Sequence, residues 1–161
     1  MGKTTCSMPA EGTRAPAFTL ESHPEGKTRL SDCAGRFVVL YFYPKDHTSG
    51  CTVEAQQFQE TLDAFQEQGA VVLGVSPDPV RSHAKFAEKF GLTFALLADT
   101  DHQAAEKYGV WVQKRMYGRE YMGIQRATFL IGPDGRIRKV WPKVKPKGHA
   151  AEVLDALKEL A

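Results

Sequence analysis

The chain has 161 residues, a formal net charge of +2, 42% hydrophobic residues and 25% charged residues. This length suits one domain with a full core, and the balanced charge gives no reason to expect a nucleic acid or a membrane as partner. Residues 1–16 hold no apolar run of signal-peptide length and no stretch of about 18 apolar residues occurs, so we expect a cytoplasmic protein.

The N-terminal residues predict a tail followed by a hairpin. Residues 1–15 are small, polar and rich in Gly and Pro, which indicates a mobile tail that carries Cys6, and residues 16–161 are then expected to form a single domain. Residues 17–20 and 28–30 have strand character and flank a Pro-Glu-Gly-Lys turn. This pattern predicts an N-terminal β-hairpin.

A buried strand and the turn that follows it are the most informative part of the sequence. Residues 37–43 are all apolar or aromatic, which predicts a strand buried on both faces of a sheet. Pro44 cannot continue a central strand, and residues 46–50 supply turn-forming and helix-capping side chains. Cys51 is therefore expected in the first turn of a helix, where free N–H groups and roughly half a positive charge favour a thiolate.

The rest of the chain alternates between strand and helix patterns. Apolar residues at 55, 58, 62 and 65 keep helical spacing and predict one helix that ends at Gly69. The later patterns predict, in chain order, a buried strand over 71–75, a helix ending at Gly91, a strand over 94–97, a helix over 101–108, a hairpin over 128–141 and a final helix carrying Val153 to Leu160. Together they predict a layered α/β sandwich with a mixed sheet.

Residues 113–125 form the least regular interior stretch. Two Met and two Tyr lie there among basic residues. They could form an apolar collar over a pocket, or pack an irregular hairpin or loop.

Three cysteines, Cys6, Cys33 and Cys51, are too few and too widely spaced for a disulfide framework, and no C-x-x-C pair suggests a zinc site. A reduced compartment with one or more working thiols fits better, although all three could be small buried hydrophobic residues. Four histidines show no metal-ligand spacing with one another or with the cysteines; they are His23, His83, His102 and His149. We therefore predict no metal and no cofactor.

Several motifs resemble one known family. Pro44-x-x-x-Thr48-x-x-Cys51 is similar to the signature of peroxiredoxins. Four further stretches, at 41–46, 50–55, 117–123 and 126–129, resemble the branch called peroxiredoxin Q or bacterioferritin comigratory protein, and the likeness runs from about residue 15 to the C-terminus. The resemblance implies a thioredoxin-like α/β fold, with a central mixed β-sheet flanked by helices, and a thiol-based peroxidase.

The resemblance also implies roles for four residues. Cys51 would be the peroxidatic cysteine, whose thiolate attacks a peroxide oxygen and becomes a sulfenic acid. Thr48 would point its hydroxyl at the thiolate and the peroxide, and Pro44 would shield the sulfur from bulk water. Arg126 would stabilise the thiolate and the charge of the transition state.

Several other residues near these motifs are alternatives or neighbours of the four candidates. Arg115 and Arg119 are alternatives to Arg126, which we favour because it directly precedes a strand expected to end close to the first one. Glu54 and Tyr43 are expected next to the site, and Glu54 could cap its helix or bind a second arginine. His47 resembles a general base, but turn histidines are commonly exposed and a stabilised thiolate requires no base.

The sequence departs from the family pattern in its resolving cysteine. Members of this branch carry a second cysteine five residues after the first, where this chain has Gln56, or in the helix after the second strand, where residues 81–91 contain none. Cys33 precedes a seven-residue strand and should lie roughly 20 Å from Cys51, beyond disulfide reach. Cys6 is a minor candidate because its tail could swing over.

The expected function is therefore a one-cysteine cycle. Hydrogen peroxide or an organic hydroperoxide would oxidise Cys51, and an external thiol such as thioredoxin, glutaredoxin or a small molecule would reduce it. The alternative is a peroxide sensor or chaperone-like protein with Cys51 as its switch. A dithiol oxidoreductase would need a C-x-x-C pair and a cysteine hydrolase an orienting base; the absence of a long partner-seeking tail favours a monomer.

Overall fold

A computed structural model describes residues 7–24 and 26–161. Its strands are β1 (Thr19–His23), β2 (Lys27–Arg29), β3 (Phe37–Phe42), β4 (Ala70–Ser76), β5 (Ala95–Ala98), β6 (Trp111–Met116), β7 (Arg119–Ile124), β8 (Ala127–Ile131) and β9 (Ile137–Trp141). Its helices are α1 (Ser49–Glu60), α2 (Leu62–Glu67), α3 (Val80–Phe90), α4 (Gln103–Lys107) and α5 (His149–Leu160), and a 3₁₀ turn spans Leu30–Cys33.

Seven of the described strands form one mixed sheet in the order β2-β1-β5-β4-β3-β8-β9. The central strand β3 pairs in parallel with β4 and antiparallel with β8, and all six of its residues are buried. The prediction of a strand covered on both faces is confirmed because helices or loops pack on each side of it. β1 and β2 form the expected N-terminal hairpin at one edge of the sheet.

Alternate residues of β3 face two separate hydrophobic clusters. Val39 and Tyr41 point to the cluster that α1, α2, α3 and α5 build on one face. Val38 and Leu40 point to the other cluster, which α4 and the N-terminal segment help to build. This alternation follows from the two-residue period of a strand. Cys51 belongs to the first cluster and Cys33 to the second, so the sheet separates the two sulfurs.

The segment predicted to be a mobile tail is described only from residue 7. Gly12 and Ala15 donate their N–H groups to the carbonyls of Ile137 and Gly135. The backbones of Arg14 and Arg136 form an isolated antiparallel β-bridge. Ala15 is buried. Residues 10–15 thus lie along the β8–β9 turn, while Cys6 lies outside the described residues; the division of the chain at residue 16 stays a prediction.

The structure refines two local predictions. The helix expected to run to Gly69 is interrupted at Thr61, whose φ of −104° and ψ of 6° depart from helical values, so α1 and α2 are separate helices.

Of the two alternatives for 113–125, the hairpin is the one that forms, and β6 and β7 pair in it without a break in register. Its Met and Tyr side chains are exposed; they are Met116, Tyr117, Tyr121 and Met122.

Within the described residues, every helix is too short or too polar to cross a membrane.

Candidate active site

The register of β8 against β3 brings Arg126 to Cys51. Phe42, the last residue of β3, pairs with Ala127, the first residue of β8. Arg126 therefore lies beside the point at which the chain leaves the sheet and turns toward α1. Two residues 75 positions apart meet there because the strands run antiparallel.

Cys51 is the third residue of α1. The first intrahelical bond runs from Thr52 N–H to Thr48 O, so the N–H groups of the first three helical residues have no acceptor within the helix. Arg126 Nη2 donates to Cys51 Sγ at 3.4 Å. A guanidinium and a helix N-terminus thus converge on one sulfur, which is the environment that stabilises a thiolate.

The sulfur is enclosed. Attack on a peroxide requires an accessible sulfur, but Cys51 is only 1% exposed and packs in a hydrophobic cluster. The loop before α1 carries two exposed residues, Thr48 and Ser49.

Glu54 binds the same arginine that contacts the sulfur. Glu54 Oε1 accepts a hydrogen bond from Arg126 Nη1 at 2.7 Å, whereas the sequence suggested a helix cap or a second arginine. Burial raises the pKa of Glu54 to about 7, although the charge and hydrogen bond of Arg126 oppose this shift. Burial prevails because Oε2 is also enclosed and has no hydrogen-bond partner among the described residues.

Arg126 stays a cation in this arrangement. Burial alone would lower the pKa of Arg126, but the charges of Glu54 and Cys51 outweigh it and raise that pKa. The guanidinium also lies close to the backbone of α1, since a Cβ atom at Gly50 would lie 3.2 Å from Nη2. A glycine before Cys51 leaves the room that Arg126 needs.

The segment before α5 covers the other side of this arginine. Val144 N–H donates to Arg126 O at 3.2 Å, and a Cβ atom at Gly50 would lie 3.4 Å from Pro146 Cγ. His149, the first residue of α5, is buried and bonds Thr128 Oγ1 at 2.8 Å. The β8 end and the start of α5 therefore enclose the site together.

Thr48 and Pro44 lie just before α1, and the hydroxyl of Thr48 is engaged elsewhere than we predicted. Thr48 is the N-cap residue of α1, and its hydroxyl donates to Lys45 O at 2.8 Å instead of to Cys51. Pro44 is half-buried at the end of β3. Both residues lie in the loop that joins the strand to the helix.

Tyr43 belongs to a buried polar network that sequence reasoning missed. Its hydroxyl donates to Asp46 Oδ1 at 2.6 Å, and Asp46 Oδ2 bonds Ser82 Oγ and His83 Nδ1, each at 2.8 Å. His83 lies on α3 and is fully buried. Partners 36 or 37 positions apart leave no spacing signature in a sequence. The available signal was an Asp only three residues after Tyr43, at the end of a buried strand.

Within the described residues, one cluster of side chains could share a metal ion, and it belongs to the same network. Ligand atoms of Asp46, Asp78 and His83 lie within 4.8 Å of one another. Hydrogen bonds already engage them, since Asp78 Oδ2 accepts from Ser76 Oγ at 2.6 Å and from Asp46 N–H at 2.8 Å. The donor set therefore fits a hydrogen-bonded network.

The remaining candidates lie apart from the sulfur. Arg115 pairs with Glu120 on the exposed hairpin. His47 is exposed, and its ring packs edge-on against Phe86 at 5.2 Å. Cys33 is buried in the core, and burial raises the pKa of its thiol.

Comparison with known proteins identifies relatives of high similarity. Residues 12–140 match the AhpC/TSA family. The chain is 49% identical to peroxiredoxin Bcp of Bacillus subtilis strain 168 over 150 residues, which cover 93% of this chain and 96% of that protein. It is 43% identical to peroxiredoxin Bcp of Escherichia coli K12, with the same coverage.

Solved structures give the same result for the fold. Xanthomonas campestris bacterioferritin comigratory protein, which has alkyl peroxide reduction activity, matches with a TM-score of 0.85 and 43% identity over 89% of this chain and 91% of that one. A mutant of Xylella fastidiosa peroxiredoxin Q matches with a TM-score of 0.87 and 39% identity over 94% and 99%. The predicted thioredoxin-like α/β fold is confirmed.

Proposed function

Because this chain belongs to the AhpC/TSA family and is a peroxiredoxin, a thiol peroxidase, we propose that Cys51 is its peroxidatic residue and Arg126 the cation that activates it. The observation that carries this proposal is the 3.4 Å contact between Arg126 Nη2 and Cys51 Sγ at the start of α1. Cys33, the other cysteine in the described part of the chain, accepts no such hydrogen bond, and the charge of Arg36 only partly offsets its burial.

The first half of the cycle is the oxidation of Cys51. The thiolate attacks one oxygen of the peroxide, an S–O bond forms, the O–O bond breaks, and the leaving oxygen departs with a proton as water or an alcohol. Arg126 stabilises the charge that spreads over the two oxygens. Thr48 becomes a partner of the peroxide if its hydroxyl turns from Lys45 O to the substrate.

The site imposes a limit on the substrate. Cys51 is almost fully enclosed, so only a small reactive group can reach it, and the exposed Thr48 and Ser49 mark the side from which we propose that it enters. Hydrogen peroxide and the hydroperoxide end of an organic molecule are the smallest groups that carry an O–O bond. We therefore propose both as substrates.

The second half of the cycle uses an external thiol. The α1 position five residues after Cys51 is the exposed Gln56, the described helix α3 carries no cysteine, and Cys33 lies on the opposite face of the sheet. One external thiol condenses with the sulfenic acid and releases water, and a second thiolate cleaves the resulting mixed disulfide. Thioredoxin, glutaredoxin or a small thiol would supply these thiols, and a cytoplasmic monomer stays our prediction.

The test combines turnover with intact mass. Peroxide consumption is followed with thioredoxin, glutaredoxin and a small thiol as donors, for the wild type and for Cys6→Ser. We expect sustained turnover with at least one donor, an unchanged rate in Cys6→Ser, and a mass gain of one oxygen or one donor thiol on Cys51.

Two results would change this assignment. If Cys6→Ser stalls after one turnover, the cycle runs through an internal disulfide with Cys6. If Cys51 is oxidised stoichiometrically but no donor sustains turnover, the protein is a peroxide sensor or chaperone-like redox protein instead.

A further inference from the structure

The loop that carries Pro44 and Thr48 is fastened to α3. Asp46 N–H donates to Asp78 Oδ2 at 2.8 Å, in the segment that leads into α3. His47 has a left-handed backbone with φ of 66°, and its ring packs against Phe86 of α3 at 5.2 Å. The residues just before Cys51 are thus held from outside α1.

The side chain of Asp46 is the centre of this attachment. It is 3% exposed and accepts hydrogen bonds from Tyr43, Ser82 and His83. Burial alone would raise the pKa of Asp46, but the hydrogen bond and charge of His83, with the bonds from Tyr43 and Ser82, lower it below its ordinary value. The carboxylate is therefore ionised at neutral pH.

The contacts of His83 define its protonation. His83 Nε2 lies 2.9 Å from Leu97 O, and a carbonyl oxygen only accepts, so Nε2 carries a proton. His83 Nδ1 lies 2.8 Å from the ionised Asp46 Oδ2, which also only accepts, so Nδ1 carries a proton as well. His83 is then an imidazolium, fully buried in an ion pair with Asp46.

We infer that Asp46 and His83 are positioning residues for the peroxidatic cysteine, an inference that rests on the proposed role of Cys51. Their ion pair joins the loop before α1 to α3 and, through Leu97 O, to β5. None of these anchors contacts Cys51, yet together they define where Pro44 and Thr48 lie and hence how α1 begins.

The charge of the pair also bears on the sulfur. Tyr43, whose hydroxyl bonds Asp46, belongs to the same cluster as Cys51, so the pair and the sulfur lie on one face of the sheet. Burial raises the pKa of Tyr41 in that cluster, and the charges of Glu54, Cys51 and Asp46 raise it further. With both partners charged, the pair carries no net charge there. Loss of His83 alone would leave a buried negative charge on the same face of the sheet, which opposes thiolate formation.

The experiment compares His83→Gln, Asp46→Asn and the double variant with a matched control. Asp99→Asn is that control, because Asp99 is another buried carboxylate, 1% exposed, that accepts two N–H groups from α4 away from the loop. Three properties are measured. The first is the second-order rate constant for oxidation of the reduced protein by hydrogen peroxide. The second is the pH at which the folded protein is alkylated on Cys51 at half its maximal rate, with the extent read from the peptide that contains Cys51, and the third is Tm.

We expect His83→Gln to slow oxidation about 10- to 100-fold and to move the alkylation midpoint to higher pH. Asp46→Asn should have a smaller effect, and the double variant should recover to within about fivefold of the wild type because its two amides form a neutral hydrogen-bonded pair. Asp99→Asn should lower Tm but leave both the rate and the midpoint unchanged.

The inference is overturned if His83→Gln lowers Tm as Asp99→Asn does while Cys51 reacts at the wild-type rate and midpoint. Should His83→Gln not fold, Ser82→Ala removes one donor to Asp46 without changing any charge and is expected to slow oxidation two- to fivefold; a wild-type rate there would equally overturn it. Failure of the proposed function gives a different result, since hydrogen peroxide would then fail to oxidise Cys51 in the wild type itself.

Discussion

Cys33 and Cys51 are both buried, 6% and 1% exposed, but their surroundings differ. Cys33 ends a 3₁₀ turn and packs on one face of the sheet, where burial raises the pKa of its thiol. Cys51 is the more enclosed of the two, yet it accepts a hydrogen bond from a guanidinium at the start of a helix. Burial by itself keeps a thiol inert. The guanidinium that contacts the sulfur is what distinguishes Cys51, because the charge of Arg36 only partly offsets burial at Cys33.

Replacement of the sulfurs tests this contrast most strongly. Cys51→Ser should lower the rate of peroxide consumption by at least ~10³-fold, because a hydroxyl is a far weaker nucleophile than a thiolate. Cys33→Ser is the matched control and should retain the wild-type rate. Steady-state peroxide consumption measures both, and equal losses in the two variants would contradict the distinction.

Removal of the guanidinium should have the next largest effect. Arg126→Ala is expected to slow oxidation of Cys51 by about 10²- to 10³-fold, the usual cost of one donor to a developing negative charge. Arg115→Ala removes an exposed arginine of the β6–β7 hairpin and should leave the rate unchanged. Stopped-flow oxidation of the reduced proteins measures the effect, and a wild-type rate in Arg126→Ala would refute the role of this cation.

Glu54, which lies beside Cys51 and has no counterpart at Cys33, is expected to make the free energy of unfolding depend on pH. Its folded pKa of about 7 lies above the ordinary value of 4.5, so the folded state holds this proton more strongly than the unfolded state does. Its contribution to stability is present below pH 4.5 and is lost as the pH rises through about 7.

Urea unfolding at pH 5 and pH 8 measures this effect. The free energy of unfolding of the wild type should fall by on the order of 2 kcal/mol more than that of Glu54→Gln over this interval. Glu60→Gln, a change on an exposed side chain of α1, provides the comparison. Identical pH profiles in the wild type and Glu54→Gln would show that Glu54 stays ionised beside Arg126.

The smallest effect is expected at Cys33. Cys33→Ala removes a buried sulfur from an apolar cluster and should lower the free energy of unfolding by about 1 kcal/mol. The oxidation rate of Cys51 should stay within twofold of the wild type. Chemical denaturation and stopped-flow oxidation measure the two quantities, and a slower oxidation would mean that Cys33 influences the site through the sheet.

Local pattern was enough to predict the strand over 37–43, the turn after it and a cysteine in the first turn of a helix. These features depend on residues within about one turn or one strand of each other, so periodicity and turn chemistry report them directly. The break at Thr61 escaped prediction because the apolar spacing continues across it and no Gly or Pro lies there, while the backbone angles of Thr61 interrupt the helix.

The partners of Cys51 depended on long-range pairing. The sequence alone favoured Arg126 among three arginines, but the register of β8 on β3 placed it at the sulfur, and the same fold directed Glu54 to that arginine and His83 to Asp46. The sequence by itself determined that a thiol would stand where a buried strand gives way to a helix. Only the tertiary structure decided which charges surround that thiol, because these contacts join residues between 37 and 75 positions apart and are created when the strands and helices pack.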